Sequence, residues 1–212
     1  MFKDREDAGR QLAEALTADG EIKNRARDEL LVLSIPRGGV VVGLMVAEEL
    51  ECEHDVLISK KIGHPDNSEL AIGAIAEDGK AEVGFVERGL VTEEMVMETR
   101  RKIEKYIEKF RGGRELEFED KRVVILVDDG VATGRSMKAG LKWLKKRLGL
   151  GGAKVVVVAV PVGARESIEE LREVADEVVC LDERDDLRAV GQFYESFPQV
   201  SDKQVEELLM ES

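Results

Sequence analysis

Two neighbouring carboxylates, Asp128 and Asp129, stand at the end of an unbroken apolar run, Val123 to Val127, and are followed by small residues that include Thr133, Gly134 and Ser136. A buried strand that runs into such a turn and then into a helix aims unpaired backbone N–H groups outward. Gly134 permits close approach, and the hydroxyls of Thr133 and Ser136 add further bonds, so a phosphate is the natural guest. Two acceptor-only groups beside it suit a vicinal diol, which donates hydrogen bonds. Phosphate beside diol is the pattern of ribose 5-phosphate.

A second anion site is legible at Ser34 to Gly39, where a strand ends in Pro36, Arg37, Gly38 and Gly39 and turns into a helix. The two glycines can present backbone amides and Arg37 a bidentate fork, a combination that would hold a diphosphate. The third element is the pair Lys60 and Lys61 at the end of the next strand, opening a loop with Gly63, His64 and Pro65. In a parallel sheet these strand ends share the carboxyl edge, where ligands collect, so Lys60 or Lys61 faces the same diphosphate as Arg37. Phe193 and Tyr194 close the set; either ring could stack on a flat ligand or cover the sheet edge.

The motif from Asp128 to Ser136 resembles that of type I phosphoribosyltransferases, in which an apolar strand leads to two acids, small residues, Thr-Gly and a hydroxyl residue. Asp128, Asp129, Thr133, Gly134 and Ser136 match it position by position. Gly130 departs from it, since the family more often has a branched aliphatic there. A receiver-type phospho-acceptor site also places acids after a strand, but usually on the first strand of its domain, and here two strands precede it. The segment at Arg37 is similar to the family's pyrophosphate loop, residues 62–70 to its flexible lid, where some members carry a histidine like His64, and Asp186 to Tyr194 to the hood of the purine-type enzymes. That hood lacks an obvious lysine here, which argues against a 6-oxopurine acceptor.

The resemblance, closest to the uncharacterised phosphoribosyltransferases of bacteria and archaea, implies transfer of the 5-phosphoribosyl group from phosphoribosyl diphosphate to a nitrogenous acceptor. Diphosphate leaves, the anomeric carbon inverts, and the transition state resembles an oxocarbenium ion. Val131, Ala132, Thr133, Gly134 and Ser136 would bind the 5-phosphate; Asp128 and Asp129 would hold the ribose hydroxyls. Arg37, Gly38, Gly39 and one of Lys60 or Lys61 would receive the diphosphate. Phe193 and Tyr194 would meet the acceptor. The implied cofactor is Mg2+, held mainly by substrate oxygens, with no direct protein ligand expected beyond Asp128 and Asp129. Neutralising both acids is expected to abolish transfer while leaving the melting temperature within a few degrees. A module on the same fold that senses phosphoribosyl diphosphate or a nucleotide without turnover would need the same groups.

These residues must be positioned by an α/β fold, a mostly parallel twisted sheet of about five strands flanked by helices, with a β-hairpin and lid insertion and a small C-terminal hood. Strands are expected at 30–35, 55–60, 123–128, 154–160 and 177–181, helices at 4–18, 39–50, 92–111, 135–148 and 164–175. In the second of the core helices Met95, Thr99, Ile103, Tyr106 and Phe110 recur at helical steps before Gly112 and Gly113 stop it. Ser201 and Gln204 read as a capping box opening a last short helix. Residues 61–91 read as a loop followed by a hairpin or irregular strands. One domain is expected over 1–212: a core at 28–181, lid and hairpin at 61–91, and a hood at 182–212.

The chain has 32 Lys and Arg against 45 Asp and Glu among 212 residues, a formal charge of −13. That balance repels nucleic acid and anionic membranes. Hydrophobic residues at 43% and charged residues at 36% fit a packed core under a charged surface. The charged first residues do not read as a signal peptide and no run approaches a membrane helix, so a cytoplasmic protein, expected as a homodimer, is the reading. Cys52 and Cys180 are too isolated for a disulfide framework or zinc and are expected as buried thiols.

Overall fold

The computed structural model describes residues 1–18, 20–64, 67–83, 89–118, 120–149 and 154–211. In chain order the elements are α1 (Arg5–Ala18), α2 (Gly20–Lys23), β1 (Leu30–Ser34), α3 (Gly38–Leu50), β2 (Glu53–Val56), β3 (Lys60–His64), β4 (Asn67–Ile75), β5 (Ala81–Val83), α4 (Glu93–Arg111), β6 (Val123–Val127), α5 (Arg135–Leu148), β7 (Val155–Ala164), α6 (Arg165–Arg172), β8 (Glu177–Arg184) and α7 (Asp202–Glu211). Five strands form a wholly parallel sheet in the order β2-β1-β6-β7-β8. β1 and β6 are buried at every position, which is why their sequence is a continuous apolar run rather than an alternation. Alternate residues serve opposite faces: Leu31, Leu33, Val124 and Leu126 pack with Leu141 and Leu144 of α5, and Val32, Val123 and Ile125 with Leu12, Leu16, Val42 and Val46 of α1 and α3. Among the described residues no helix is long and apolar enough to cross a membrane.

The second strand ends earlier than expected. It occupies 53–56; the Leu57 N–H still donates to Ser34 O at 3.0 Å, but beyond it Glu77 Oε1 accepts the Ile58 N–H at 2.9 Å and the Ser59 hydroxyl donates to Ser136 O at 2.8 Å, so residues 58–59 turn away from β1. Lys60 then opens a second, antiparallel sheet in the order β3-β4-β5. Residues 62–64 and 67–70 are therefore paired antiparallel strands, with Ile62 opposite Gly73 and His64 opposite Asn67, instead of the open loop expected. Residues 65–66, and most of the expected strand Val83–Val86, lie outside the described residues.

At the other edge β7 and β8 run on to Ala164 and Arg184, three or four residues past expectation. Pairing steps over Pro161, which has no N–H to give, from Val160 with Cys180 to Val162 with Asp182. α6 is correspondingly confined to 165–172. The expected stops hold: Gly112 closes α4 with φ of 58°, and Ser201 and Gln204 exchange bonds at 2.9 and 3.2 Å ahead of α7. Cys52 and Cys180 are half-buried rather than fully buried, and desolvation pushes both thiols up to about 11.

Candidate active site

The ladder between β1 and β6 continues one bond beyond the strands, Ile35 N–H to Val127 O at 2.9 Å, so the two following loops leave the sheet side by side. The loop at Pro36–Arg37, whose joining peptide is cis, then packs directly on the acids. Glycine is required there. A Cβ on Gly38 would lie 1.8 Å from Asp129 Oδ2, and one on Gly39 2.9 Å from the Asp128 Cα. The expected diphosphate loop and the expected ribose acids are thus in van der Waals contact.

The acids have different surroundings. Asp128 Oδ1 accepts the Asp129 N–H at 2.8 Å, and Asp129 Oδ2 accepts the Arg5 Nε–H at 2.7 Å. Desolvation, and after it the charge of Asp129, hold the Asp128 carboxyl well above the usual carboxylate range. Asp129 is also raised by desolvation, but its Arg5 partner acts against that. Asp128 is therefore the member of the pair that gains most when a cation or a hydrogen-bond donor arrives.

Lys60, on the first residue of β3, is the lysine that turns toward this edge. Burial, and then the charge of Arg37, lower its ammonium to about 8, while Asp202 and Asp128 work in the opposite direction. Its Nζ lies over the Tyr106 ring, 4.0 Å from the centroid. Lys61 is exposed and His64 half-buried at the far end of the strand. Arg37 reaches Asp202 at 3.4 Å, and Asp202 also takes Lys109 at 3.0 Å, so the start of α7 lies against the basic group.

The expected phosphate loop is braced from below. Val131 N–H donates to Val162 O at 2.9 Å, Ala164 N–H donates to Val131 O at 2.8 Å, and the Ser167 hydroxyl donates to Ala132 O at 2.7 Å. Gly134 has φ of 64°, a left-handed conformation that glycine adopts without strain, and it starts α5 with no side-chain cap. The α5 N-terminus thus carries no side-chain cap from Gly134 and lies between the half-buried Ala132 and Ser136 and the exposed Thr133, a position suited to an anion. Gly130 also has its reason. A Cβ there would lie 2.5 Å from Val190 Cγ1, so a branched aliphatic from the tail fills the space that the residue itself leaves.

A family model described as a phosphoribosyl transferase domain matches residues 3–197. The chain belongs to that family. It is 40% identical over 211 residues to two Mycobacterium tuberculosis proteins named "Putative phosphoribosyl transferase", Rv0571c of strain H37Rv and MT0597 of strain CDC 1551. That alignment takes in 97% of this chain and 45% of each relative, so the chain spans about half the length of the curated relatives it matches. The crystal structure of TT1426 from Thermus thermophilus is similar over 99% of this chain and 98% of its own, with 40% identity and a TM-score of 0.79.

In this phosphoribosyl transferase domain the tail residues 190–200 are not a free hood. Tyr194 is 6% exposed, packs against Phe2 and Phe197, and donates its hydroxyl to Asp129 O at 2.6 Å. Its expected stacking on an acceptor gives way to a structural task. Phe193 is half-buried, with the Arg184 guanidinium 5.1 Å from its ring centroid. Ser34 and the half-buried His54 form a hydroxyl–imidazole pair at 2.8 Å, but Ser34 is completely buried under Gly43, so it is no nucleophile. Sequence reasoning passed over Arg5, Ser59, Tyr106 and Asp202. Only Ser59, beside the two lysines, lay next to a motif that could have drawn attention to it.

Proposed function

We propose that the chain is a phosphoribosyltransferase that moves the 5-phosphoribosyl group of phosphoribosyl diphosphate to a nitrogenous acceptor and releases diphosphate. The observation that carries this reading is the contact of Gly38 and Gly39 with Asp128 and Asp129, beside the open α5 N-terminus. Receptors for a diphosphate, a diol and a phosphate then adjoin in the order in which one molecule carries them.

In this mechanism the first amides of α5 and the hydroxyls of Thr133 and Ser136 hold the 5-phosphate. The two acids accept from the ribose hydroxyls and face the positive charge that develops as the anomeric C–O bond breaks. Arg37, Lys60 and the amides of Gly38 and Gly39 take the negative charge of the departing diphosphate. A bond from the acceptor nitrogen forms on the opposite face. The work is positioning and charge stabilisation, with no covalent nucleophile.

Magnesium fits the donor set. Among the described residues no cluster of three or more His, Cys, Asp or Glu forms a metal cage, and the hard oxygens at the site are those of the acid pair. Held mainly by substrate oxygens and water, the ion would lie against the acid pair, with Asp128 and Asp129 as the carboxylates nearest to it. Such an ion would supply positive charge to neutralise the diphosphate.

The test is magnesium-dependent diphosphate release from phosphoribosyl diphosphate across purines, pyrimidines, small amines and water. Release with one acceptor class supports the reading; no binding of phosphoribosyl diphosphate overturns it. Binding without release by any acceptor would favour the sensing module.

Lys60 gives a pH signature. As pH rises through about 8 its ammonium deprotonates, and affinity for inorganic diphosphate is expected to fall relative to Lys60→Met, whose profile reflects diphosphate alone. The stability effect has the opposite sign. Between about 8 and the ordinary 10.5 the unfolded chain keeps a proton that the folded chain has lost, so this group's contribution to stability rises with pH. Parallel titrations of both proteins at fixed ionic strength check the first expectation, and pH-dependent denaturation checks the second.

A further inference from the structure

The chain ends meet over Asp129. Phe2 N–H donates to Phe193 O at 2.8 Å, Glu195 N–H to Phe2 O at 2.8 Å, and Ser196 N–H to Lys3 O at 2.9 Å, so the first residues and the tail form one short ladder. Directly behind it comes Arg5, in the first turn of α1. Its Nε–H donates to Asp129 Oδ2 at 2.7 Å and its Nη1–H to Pro198 O at 2.8 Å. The guanidinium carbon lies 3.6 Å from the centroid of the Phe197 ring. The residue is 8% exposed. It is thus held at both ends of its fork and on one face.

We propose that Arg5 is a positioning residue for the ribose-binding acids: the N-terminal helix, clamped by the C-terminal tail, sets which carboxylate oxygens face the sugar. This inference rests on the phosphoribosyl reading above. The argument is one of oxygen allocation. Arg5 occupies Asp129 Oδ2, and the Asp129 N–H occupies Asp128 Oδ1. The two carboxyls also lie within hydrogen-bonding reach of each other, so a contact that fixes Asp129 fixes Asp128 with it, and acceptors held on adjacent residues are what a pair of vicinal hydroxyls requires. A carboxylate without Arg5 could turn about its Cβ–Cγ bond, and the pairing would be lost.

Packing points the same way. The space that Gly38 leaves empty is the one where Arg5 and Asp129 meet: a Cβ there would lie 1.8 Å from Asp129 Oδ2 and 2.9 Å from Arg5 Nε. The N-terminal helix, the diphosphate loop and the acid loop therefore converge on one contact. Stability alone does not call for a charged pair at such a place, because apolar replacements of buried ion pairs are often neutral or stabilising. A groove of about 460 Å³ lined by Arg5, Val41, Pro198, Val200 and Leu208 opens on Arg5 from outside, giving small cations a path to its position.

The experiment titrates the full chain with ribose 5-phosphate, with phosphoribosyl diphosphate and magnesium, and with inorganic diphosphate. Arg5→Ala is expected to weaken both ribose ligands by about 10- to 100-fold, the scale of a hydrogen bond to a charged group, and inorganic diphosphate by no more than about twofold. Millimolar methylguanidinium is expected to restore ribose-ligand affinity in Arg5→Ala and to do nothing in the wild type. Phe197→Leu, which removes the stacking plate and keeps the ion pair, is expected to cost a few-fold. Equal affinities in wild type and Arg5→Ala, or a uniform loss for all three ligands without rescue, would overturn the proposal. If Arg5→Ala does not fold, Arg5→Lys decides: retained selectivity for ribose ligands with reduced affinity supports positioning, and unchanged affinity refutes it. Failure of the wild type to bind phosphoribosyl diphosphate is a separate outcome; it refutes the phosphoribosyl reading itself.

Discussion

Replacing Asp128 by asparagine is expected to lower diphosphate release about 10²- to 10⁴-fold, the range for loss of a charge-stabilising or proton-transferring group, while the melting temperature holds or rises slightly. The carboxyl is desolvated and stands beside the charge of Asp129, so its ionised form is disfavoured before any ligand arrives. Asparagine keeps the shape and an oxygen for the Asp129 N–H, and removes the repulsion. Asp129→Asn behaves differently. It leaves the Arg5 guanidinium, 9% exposed at the side chain, without its counter-charge. Breaking a buried pair from one side costs roughly 3–5 kcal/mol, and a chain of this size loses about 2–4 °C per kcal/mol. A fall of about 10 °C is expected for Asp129→Asn on that basis. The sequence-based expectation that both acids can be neutralised at little cost to stability is thereby narrowed, and the same outcome is now expected for Asp128 alone. Calorimetry of the two single variants beside their turnover checks the asymmetry. Equal melting temperatures would show that Arg5 carries no weight at Asp129.

That asymmetry marks the boundary of what the sequence could supply. The five strands of the main sheet, their parallel direction and the loops at Arg37 and Asp128 follow from apolar runs ending in glycine or acids, because each signal is local. Bonding between distant residues is not. The second strand stops at Val56, and just beyond it the Ile58 amide is taken by Glu77, 19 residues further on, while the Ser59 hydroxyl bonds Ser136, 77 residues further on. Nothing between 55 and 60 records this, and an apolar run there reads as strand. Arg5 is hidden for the same reason: in the amphipathic pattern of α1 it is one more charged residue, and its partner is 124 residues away. Tyr194 is a case that the sequence leaves open. Clustered aromatics fit either a stacking surface or a cover for the sheet edge, and the ladder between Phe2 and the tail buries this ring against the acid loop. Gly130 looked like a departure from the family motif until Val190, 60 residues on, proved to occupy its missing side chain's place.

Contact between the two glycines and the acids leads to the second large effect. Gly39→Ala is expected to weaken phosphoribosyl diphosphate binding by about 100-fold, since a displacement near 1 Å in a positioned site costs on that order. The new Cβ would stand 2.9 Å from the Asp128 Cα and 3.1 Å from Val127 O, both backbone atoms of the strand end, so no rotamer change relieves the overlap. The two loops must separate, and both the amides for diphosphate and the carboxylates for ribose move with them. Gly38→Ala meets a side chain instead, Asp129 Oδ2 at 1.8 Å, but that oxygen is held by Arg5 and can swing away only by breaking the pair. Overpacking itself costs about 1–3 kcal/mol, so lost stability has to be separated from lost binding. Gly140→Ala provides the comparison. Its Cβ would lie 2.8 Å from Leu57 Cδ2, in the core under α5, where strain lowers stability with no path to the acids. Titration of all three variants should show affinity lost at Gly38 and Gly39 and kept at Gly140 for similar melting temperatures. If affinity instead tracks melting temperature across the set, contact between the loops is a matter of packing and the ligand lies elsewhere.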